Sequence, residues 1–181
     1  EAKVHIVTGS VAAVSNITKC AQKAGLGLHD IVLQQIASAV AILTPDERQL
    51  GVILMDIGGG TTDIAVFNEG SIRHTSVLPL GGDHVTNDIA VGLRTPIAEA
   101  ERLKIKYGYA LSSKVSPDEQ IEVPSIGGDN TSTVPRRILS EIIESRMEEL
   151  FKLAYSEIRN SGLSEKMAGG LVLTGGASCL D

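Results

Sequence analysis

The stretch Asp56-Ile57-Gly58-Gly59-Gly60-Thr61-Thr62-Asp63 carries the residue types from which a phosphate site can be built. Three successive glycines let the backbone turn with no Cβ in the way, so neighbouring N–H groups can converge on one anion. Thr61 and Thr62 add hydroxyl donors. Asp56 closes an apolar run, and an acid beside a phosphate makes sense with a cation between them; Mg²⁺ held through water suits that place. The plainer alternative is a glycine-rich hairpin with an aspartate cap. No GxxxxGK[ST] occurs and no GxGxxG follows a strand, so neither a Walker-type loop nor a dinucleotide fold is indicated.

Thr174-Gly175-Gly176-Ala177-Ser178 is a second turn of small residues, expected between a buried strand and a helix. It allows a base to pack flat, or it is only a tight connection. Glu101 and Lys104 lie one helical turn apart and can either grip a ribose or pair in solvent. His5, His29, His74 and His84 share no metal-ligand spacing, and Cys20 and Cys179 stand far apart without a CxxC; all six read as structural or surface residues.

The elements that must hold these groups follow from periodicity and punctuation. Strands are predicted over Val4–Thr8 and Asp30–Leu33, with a helix between them capped by Ser15 or Asn16 and stopped near Ala24. An Ala-rich helix spans Gln34–Leu43 and breaks at Pro45-Asp46. Gly51–Asp56, continuously apolar, reads as a strand covered on both faces. Thr61–Phe67 and Ser71–Leu80 continue a meander through the Asn68-Glu69-Gly70 turn. Helices are expected from Gly81 to Leu93 and from Thr95-Pro96 to Tyr107, the second with Thr95 and Glu99 as a capping box. Ser112–Val134, rich in Pro, Gly (Gly127-Gly128) and polar residues around one short strand, Gln120–Val123, reads as a small inserted lobe. From Pro135 a long helix presents Leu139, Ile143, Met147, Leu150, Phe151, Ala154 and Ile158 as one stripe. Gly170–Leu173 is the last strand. The alternation of strands and helices is that of an α/β fold.

Composition narrows the functions. With 181 residues, 43% of them hydrophobic, the chain is long enough to bury a core without disulfides. Sixteen Lys and Arg against 22 Asp and Glu give a net charge of −6, and only 3% of residues are aromatic. A phosphate-backbone binder or a base-stacking platform is therefore disfavoured, and no nucleic-acid partner is expected. No apolar run approaches the length of a membrane span.

Order and spacing together carry a resemblance. Asp56–Asp63 resembles the phosphate-2 motif of the actin/hexokinase/DnaK-type ATPase superfamily, Gln35–Ala39 its connect-1 helix, and Leu173–Ser178 its adenosine motif. Within that superfamily, Val4–Gly9, Gly81–Ala90, Leu93–Pro96, Ala98–Glu101 and Lys104–Gly108 are similar to the FtsA family of bacterial cell-division proteins. The resemblance covers essentially the whole chain. It implies half of an actin-like (ribonuclease-H-like) ATPase, with a mixed sheet of five-stranded type flanked by helices and a small inserted lobe.

The resemblance also implies roles. Gly58, Gly59, Gly60, Thr61 and Thr62 hold ATP phosphates, Asp56 meets Mg²⁺ through water, and Gln35 orients water. Glu101 and Lys104 take the ribose, and Gly175, Gly176 and Ser178 line the adenine pocket. It further implies self-association into actin-like filaments, other division-machinery partners, and tethering of FtsZ to the cytoplasmic face of the inner membrane. Arg136 and Arg137, at the start of the long helix, are placed to meet the acidic C-terminal peptide of FtsZ. The implied boundaries are 1–33 as the tail of subdomain 1C, 34–111 as the first part of 2A, 112–145 as a 2B-like lobe, and 146–181 as the rest of 2A. An actin-like shape filament, or a chaperone-type ATPase of the same superfamily, is the alternative.

The chain departs from the family pattern in lacking the first phosphate loop with its lysine-bearing region, and the C-terminal amphipathic helix that would reach the membrane. It begins without Met and ends just past a Gly-Gly turn. It is therefore expected to be a piece of a longer protein, at most a weak ATPase, binding nucleotide poorly by itself, with the Val4–Thr8 strand left at an open edge.

Overall fold

The computed structural model describes residues 4–127, 130–163 and 167–180; Gly128 of the expected lobe turn lies outside them. Among the described residues there are six α-helices, α1 (Val11–Lys23), α2 (Gln34–Ile42), α3 (Pro45–Leu50), α4 (Gly82–Leu93), α5 (Ile97–Tyr107) and α6 (Arg136–Asn160), and two sheets; α1 buries none of its residues. Strands β1 (Val52–Ile57), β2 (Thr62–Asn68), β3 (Ser71–Leu78) and β6 (Leu171–Thr174) form one sheet in the order β3-β2-β1-β6. β2 runs antiparallel to β1 and β3, and β6 parallel to β1, so the sheet is mixed as expected. Among the described residues it has four strands, one fewer than expected. β4 (Gln120–Pro124) and β5 (Thr131–Pro135) make a separate two-stranded hairpin in the inserted segment.

Side-chain alternation along β1 and β2 divides the core in two, because successive residues of a strand face opposite ways. Met55, Ile57 and Ile64 join α4, α5 and α6 on one face, with Leu139, Ile143 and Leu150 fully buried beneath them. Val52, Leu54, Ala65 and Phe67 meet Ala39 and Leu43 of α2 on the other. The central strand is covered on both sides, which is why it reads as an unbroken apolar run. The expected stripe of α6 is the buried one, with Phe151 half-buried at its margin. On its exposed side Lys152 and Glu148 pair at 2.7 Å.

Several local expectations differ from the structure. Val4–Thr8 and Asp30–Leu33 are not strands: β-branched residues are present, but neither segment enters a described ladder, and the first touches β3 only through His5 and Thr75, 3.2 Å apart. The first helix starts earlier than Ser15, because Ser10 Oγ accepts from the Ala13 N–H at 3.5 Å. Pro45 does not merely break α2. It begins α3, where Thr44 caps the Glu47 N–H at 3.2 Å and Glu47 returns a bond to the Thr44 N–H at 2.7 Å. Bonds donated to its carboxylate by the Thr44 N–H and the Thr44 hydroxyl hold Glu47 below its ordinary pKa. Thr95 is not the cap of α5: the helix starts at Ile97, and the Thr95 hydroxyl donates to Pro124 O at 2.7 Å, tying the α4–α5 corner to β4. The lobe has two strands because Thr131–Pro135, too polar to read as a strand alone, finds Gln120–Pro124 as its partner. β6 is half-exposed rather than buried, since it forms an edge of its sheet.

Candidate functional site

The glycine turn joins the antiparallel strands β1 and β2, and the Gly58 N–H closes it on Thr61 O at 2.9 Å. Gly59, Gly60 and Thr61 form its exposed tip. Thr62 belongs to the strand instead; it is buried and its hydroxyl donates to Leu80 O at 2.8 Å, fixing the turn to the end of β3. Behind the tip stands the start of α4. The Gly82 N–H donates to Gly58 O at 2.9 Å and the Asp83 N–H to Gly59 O at 2.8 Å, satisfying two N–H groups that a helix N-terminus cannot bond internally. A glycine is required at 81, because a Cβ there would lie 2.4 Å from Gly59 O and 2.6 Å from Gly58 O. The Gly81 N–H in turn donates to Nδ1 of His84 at 3.1 Å.

α5 brings Lys104 beneath this junction. Lys104 as a whole is 8% exposed, and its ammonium is held by Gly82 O at 3.0 Å, Thr86 Oγ1 at 2.8 Å and Glu101 Oε2 at 2.7 Å. A buried ammonium offers three donors, and these three acceptors satisfy them. Glu101 also accepts from the Thr86 hydroxyl. Burial opposes ionisation of Glu101, but the bonds from Lys104 and Thr86 and the Lys104 charge outweigh it and hold its pKa below the ordinary carboxylate value. The sequence left open a solvated pair; the lysine is buried and the glutamate half-buried.

Asp56 and Asp63 face each other across β1 and β2, on the α2 side of the sheet. Asp56 accepts from Gln34 Nε2 at 3.2 Å and Ser38 Oγ at 3.0 Å. Asp63 accepts from Gln35 Nε2 at 2.7 Å. Burial, and secondarily the charge of Asp56, raise the Asp63 pKa above its ordinary value.

The last strand delivers Gly175 onto this assembly at φ +88°, a conformation side chains rarely adopt. A Cβ there would lie 2.5 Å from Ile57 O and 2.6 Å from Asp56 Oδ1. The residues after it form a short 3₁₀ turn, Gly176–Cys179, in which the Ser178 hydroxyl donates back to Gly175 O at 2.7 Å.

These elements enclose a cavity of about 500 Å³. Of the residues singled out from the sequence, Gly58, Gly59, Glu101, Lys104, Gly176 and Arg136 line it. Gly60 and Thr61 belong to the same turn, while Asp56 and Gln35 lie on the α2 side. Sequence reasoning missed Gly82, Asp83, Ala177 and Cys179 as lining residues. The Gly-Gly-Asp opening of α4 was the available signal for the first two, since glycines at a helix start admit close approach of another chain segment. It also missed Thr86, whose hydroxyl joins Lys104 to Glu101.

Arg136 and Arg137 separate in role. Arg136 donates from Nε to Tyr107 O at 2.8 Å and from Nη1 to the Glu119 carboxylate at 2.9 and 3.0 Å, binding α5, the lobe and α6 together. Arg137 is exposed and pairs with Glu141 one turn along α6 at 3.2 Å. Among the described residues no helix is long and apolar enough to cross a membrane.

Comparisons with known proteins bear on the family and the fold. The family model described as "Cell division protein FtsA" matches residues 53–180. The FtsA of Pseudomonas aeruginosa is 52% identical over 181 residues, covering 100% of this chain and 43% of its own. That of Escherichia coli K12 is 43% identical over 188 residues, covering 100% of this chain and 45% of its own. The chain thus spans less than half the length of these relatives. Among solved structures, MreB5 of Spiroplasma citri bound to ADP superposes with a TM-score of 0.79 at 20% identity, over 95% of this chain and 56% of that one. The type IV pilus PilM of the PilM–PilN complex gives 0.67 at 18% identity, over 92% of this chain and 41% of that one. At such identities the structural likeness establishes the actin-like fold alone.

Proposed function

This chain belongs to the FtsA family of cell-division proteins, and on that footing we propose that it supplies one half of an ATP cleft in a filament-forming adaptor that ties FtsZ to the membrane. The observation that carries the reading is the convergence of Gly58, Gly59, Glu101, Lys104 and Gly176 on one cavity. The donor set fits ATP. The exposed Gly59–Thr61 tip faces phosphates, the Glu101 carboxylate accepts from ribose hydroxyls while Lys104 holds it in place, and the small residues from Gly175 to Ser178 admit a flat base. A Cβ at Gly82 would already touch Ala177 Cβ at 3.3 Å and crowd Lys104 Nζ at 3.5 Å, so the floor of the cavity is shaped by the lack of one. Asp56, through water, is the group to hold Mg²⁺. Bound Mg·ATP supplies a terminal phosphate whose cleavage can time filament assembly.

Lys104→Met tests the site. In the full-length protein we expect a fluorescent ATP analogue to bind at least about tenfold more weakly, a loss of about 1.4 kcal/mol, with the fold intact by circular dichroism. Unchanged affinity in a folded variant would remove Lys104 and its cavity from the reading.

The recruiting surface is the lobe and the start of α6. Arg137 is exposed there and shares only a solvent-facing pair with Glu141, so an acidic FtsZ C-terminal peptide can take it over at small cost. Arg137→Glu is expected to weaken binding of that peptide several-fold, more at low salt than at high salt. Peptide affinity indifferent to this reversal would sink the placement. In this reading the remainder of the longer protein supplies the first phosphate loop, contacts to other division proteins, and an amphipathic helix lying on the cytoplasmic face of the inner membrane.

A further inference from the structure

A threonine outside the cavity governs what Glu101, on the cavity wall, can do. Thr86 lies on the second turn of α4, is 5% exposed, and is not one of the lining residues. Glu101 and Lys104, one turn apart on α5, both meet its hydroxyl. The protons of this cluster can be allotted one by one. Lys104 has three, and it gives them to Gly82 O at 3.0 Å, Thr86 Oγ1 at 2.8 Å and Glu101 Oε2 at 2.7 Å. The Thr86 hydroxyl has a single proton and two acceptors in reach, Gly82 O at 3.1 Å and, nearer, Glu101 Oε2. The carboxylate takes it, because a charged acceptor makes the stronger bond and Gly82 O is already served by Lys104.

Both internal donors therefore end on the same oxygen, Oε2. Oε1 receives no bond among the described residues and is not closed off from solvent. Glu101 lines the cavity, while Lys104 and Thr86 have no proton left to give. A ligand at this wall meets an acceptor with no free donor beside it. Sugar hydroxyls suit that place because they can donate. We propose that Thr86 is a positioning residue that turns the Glu101 carboxylate so that Oε1 selects the hydroxyls of a ribose over those of a deoxyribose. The inference rests on the ATP reading above and adds to it the basis of sugar choice. Thr86 does not touch the nucleotide; it acts through Glu101. Without its hydroxyl, Lys104 alone would hold the carboxylate, whose terminal torsion is soft, and Oε1 would lose its fixed direction.

Thr86→Val separates this role from a structural one, since valine keeps the branched shape and removes the hydroxyl. In the full-length protein, direct titration compares ATP with its 2′-deoxy and 3′-deoxy analogues, each lacking one sugar donor. Wild type is expected to bind at least one of the analogues about tenfold or more weakly than ATP, because a bond to a charged acceptor is lost. In Thr86→Val that ratio should fall to about threefold or less. Thr86→Ser, which restores the hydroxyl, should bring the discrimination back. A residue serving only the packing of α4 on α5 would weaken every nucleotide alike and leave the ratio unmoved. Should the valine variant not fold by circular dichroism, Thr86→Cys, a weak donor, takes its place and must lower the ratio. An unchanged ratio in the folded variant would overturn the proposal, as would a serine variant that discriminates no better than valine. Wild type that binds ATP and both deoxy analogues equally would overturn the positioning role and leave the ATP reading standing; failure to bind any of them would overturn both.

Discussion

Gly81→Ala is expected to destabilise the folded chain by roughly 3–5 kcal/mol, from overpacking at about 1–3 and two lost backbone hydrogen bonds at about 1 each. The added methyl would sit 2.4 Å from Gly59 O, 2.6 Å from Gly58 O and 2.8 Å from Gly59 C, all backbone atoms that cannot rotate aside. The start of α4 must therefore part from the turn, giving up the bonds from the Gly82 and Asp83 amides. Gly60→Ala is the internal control. It lies in the same turn, a Cβ there meets nothing within 4 Å, and it should cost less than about 0.5 kcal/mol. Urea denaturation of both variants measures the difference. A Gly81→Ala midpoint equal to that of Gly60→Ala would show that the turn and the helix do not depend on their contact.

Leu150→Ala, at the middle of α6, should cost about 2–5 kcal/mol. Leu150 is fully buried in the larger core with Leu139 and Ile143, so truncation loses transfer free energy and leaves a hole that close-packed neighbours cannot fill. Leu153, 44% exposed on the same helix, gives the contrast, and its alanine variant should melt within a few degrees of the parent. Equal losses at the two positions would mean that α6 does not pack as described.

Residues near in sequence were readable before the structure. The glycine turn, the meander and the stripe of α6 rest on periodicities and turn chemistry that act over a few positions. The misses came where a distant partner decides. Thr95 has everything an N-cap needs, yet a carbonyl at Pro124 takes its hydroxyl. Thr131–Pro135 becomes a strand only because Gln120–Pro124 lies beside it. Val4–Thr8 has strand composition and enters no described ladder. At the site, Glu101 and Lys104 alone read more readily as a solvent pair than as a binding pair. Only packing against Gly82 and Thr86 makes the lysine a buried fixture. Arg136 and Arg137 were indistinguishable in sequence, and Glu119 and the Tyr107 carbonyl divide them into a clamp and an exposed charge.

The contact between α4 and the glycine turn has an electrical consequence. The amides of Gly82 and Asp83 point at the carbonyls of Gly58 and Gly59. Because a trans peptide is planar, each of those carbonyls lies antiparallel to the N–H of the following residue, Gly59 or Gly60. The two peptide planes of the turn are thereby stacked in line with the helix axis, and their dipoles add to that of α4 as one more layer of it. The positive pole of α4 does not end at its first residue. It is handed through the turn and emerges at the N–H groups of Gly59 and Gly60, at the exposed tip where an anion can reach it.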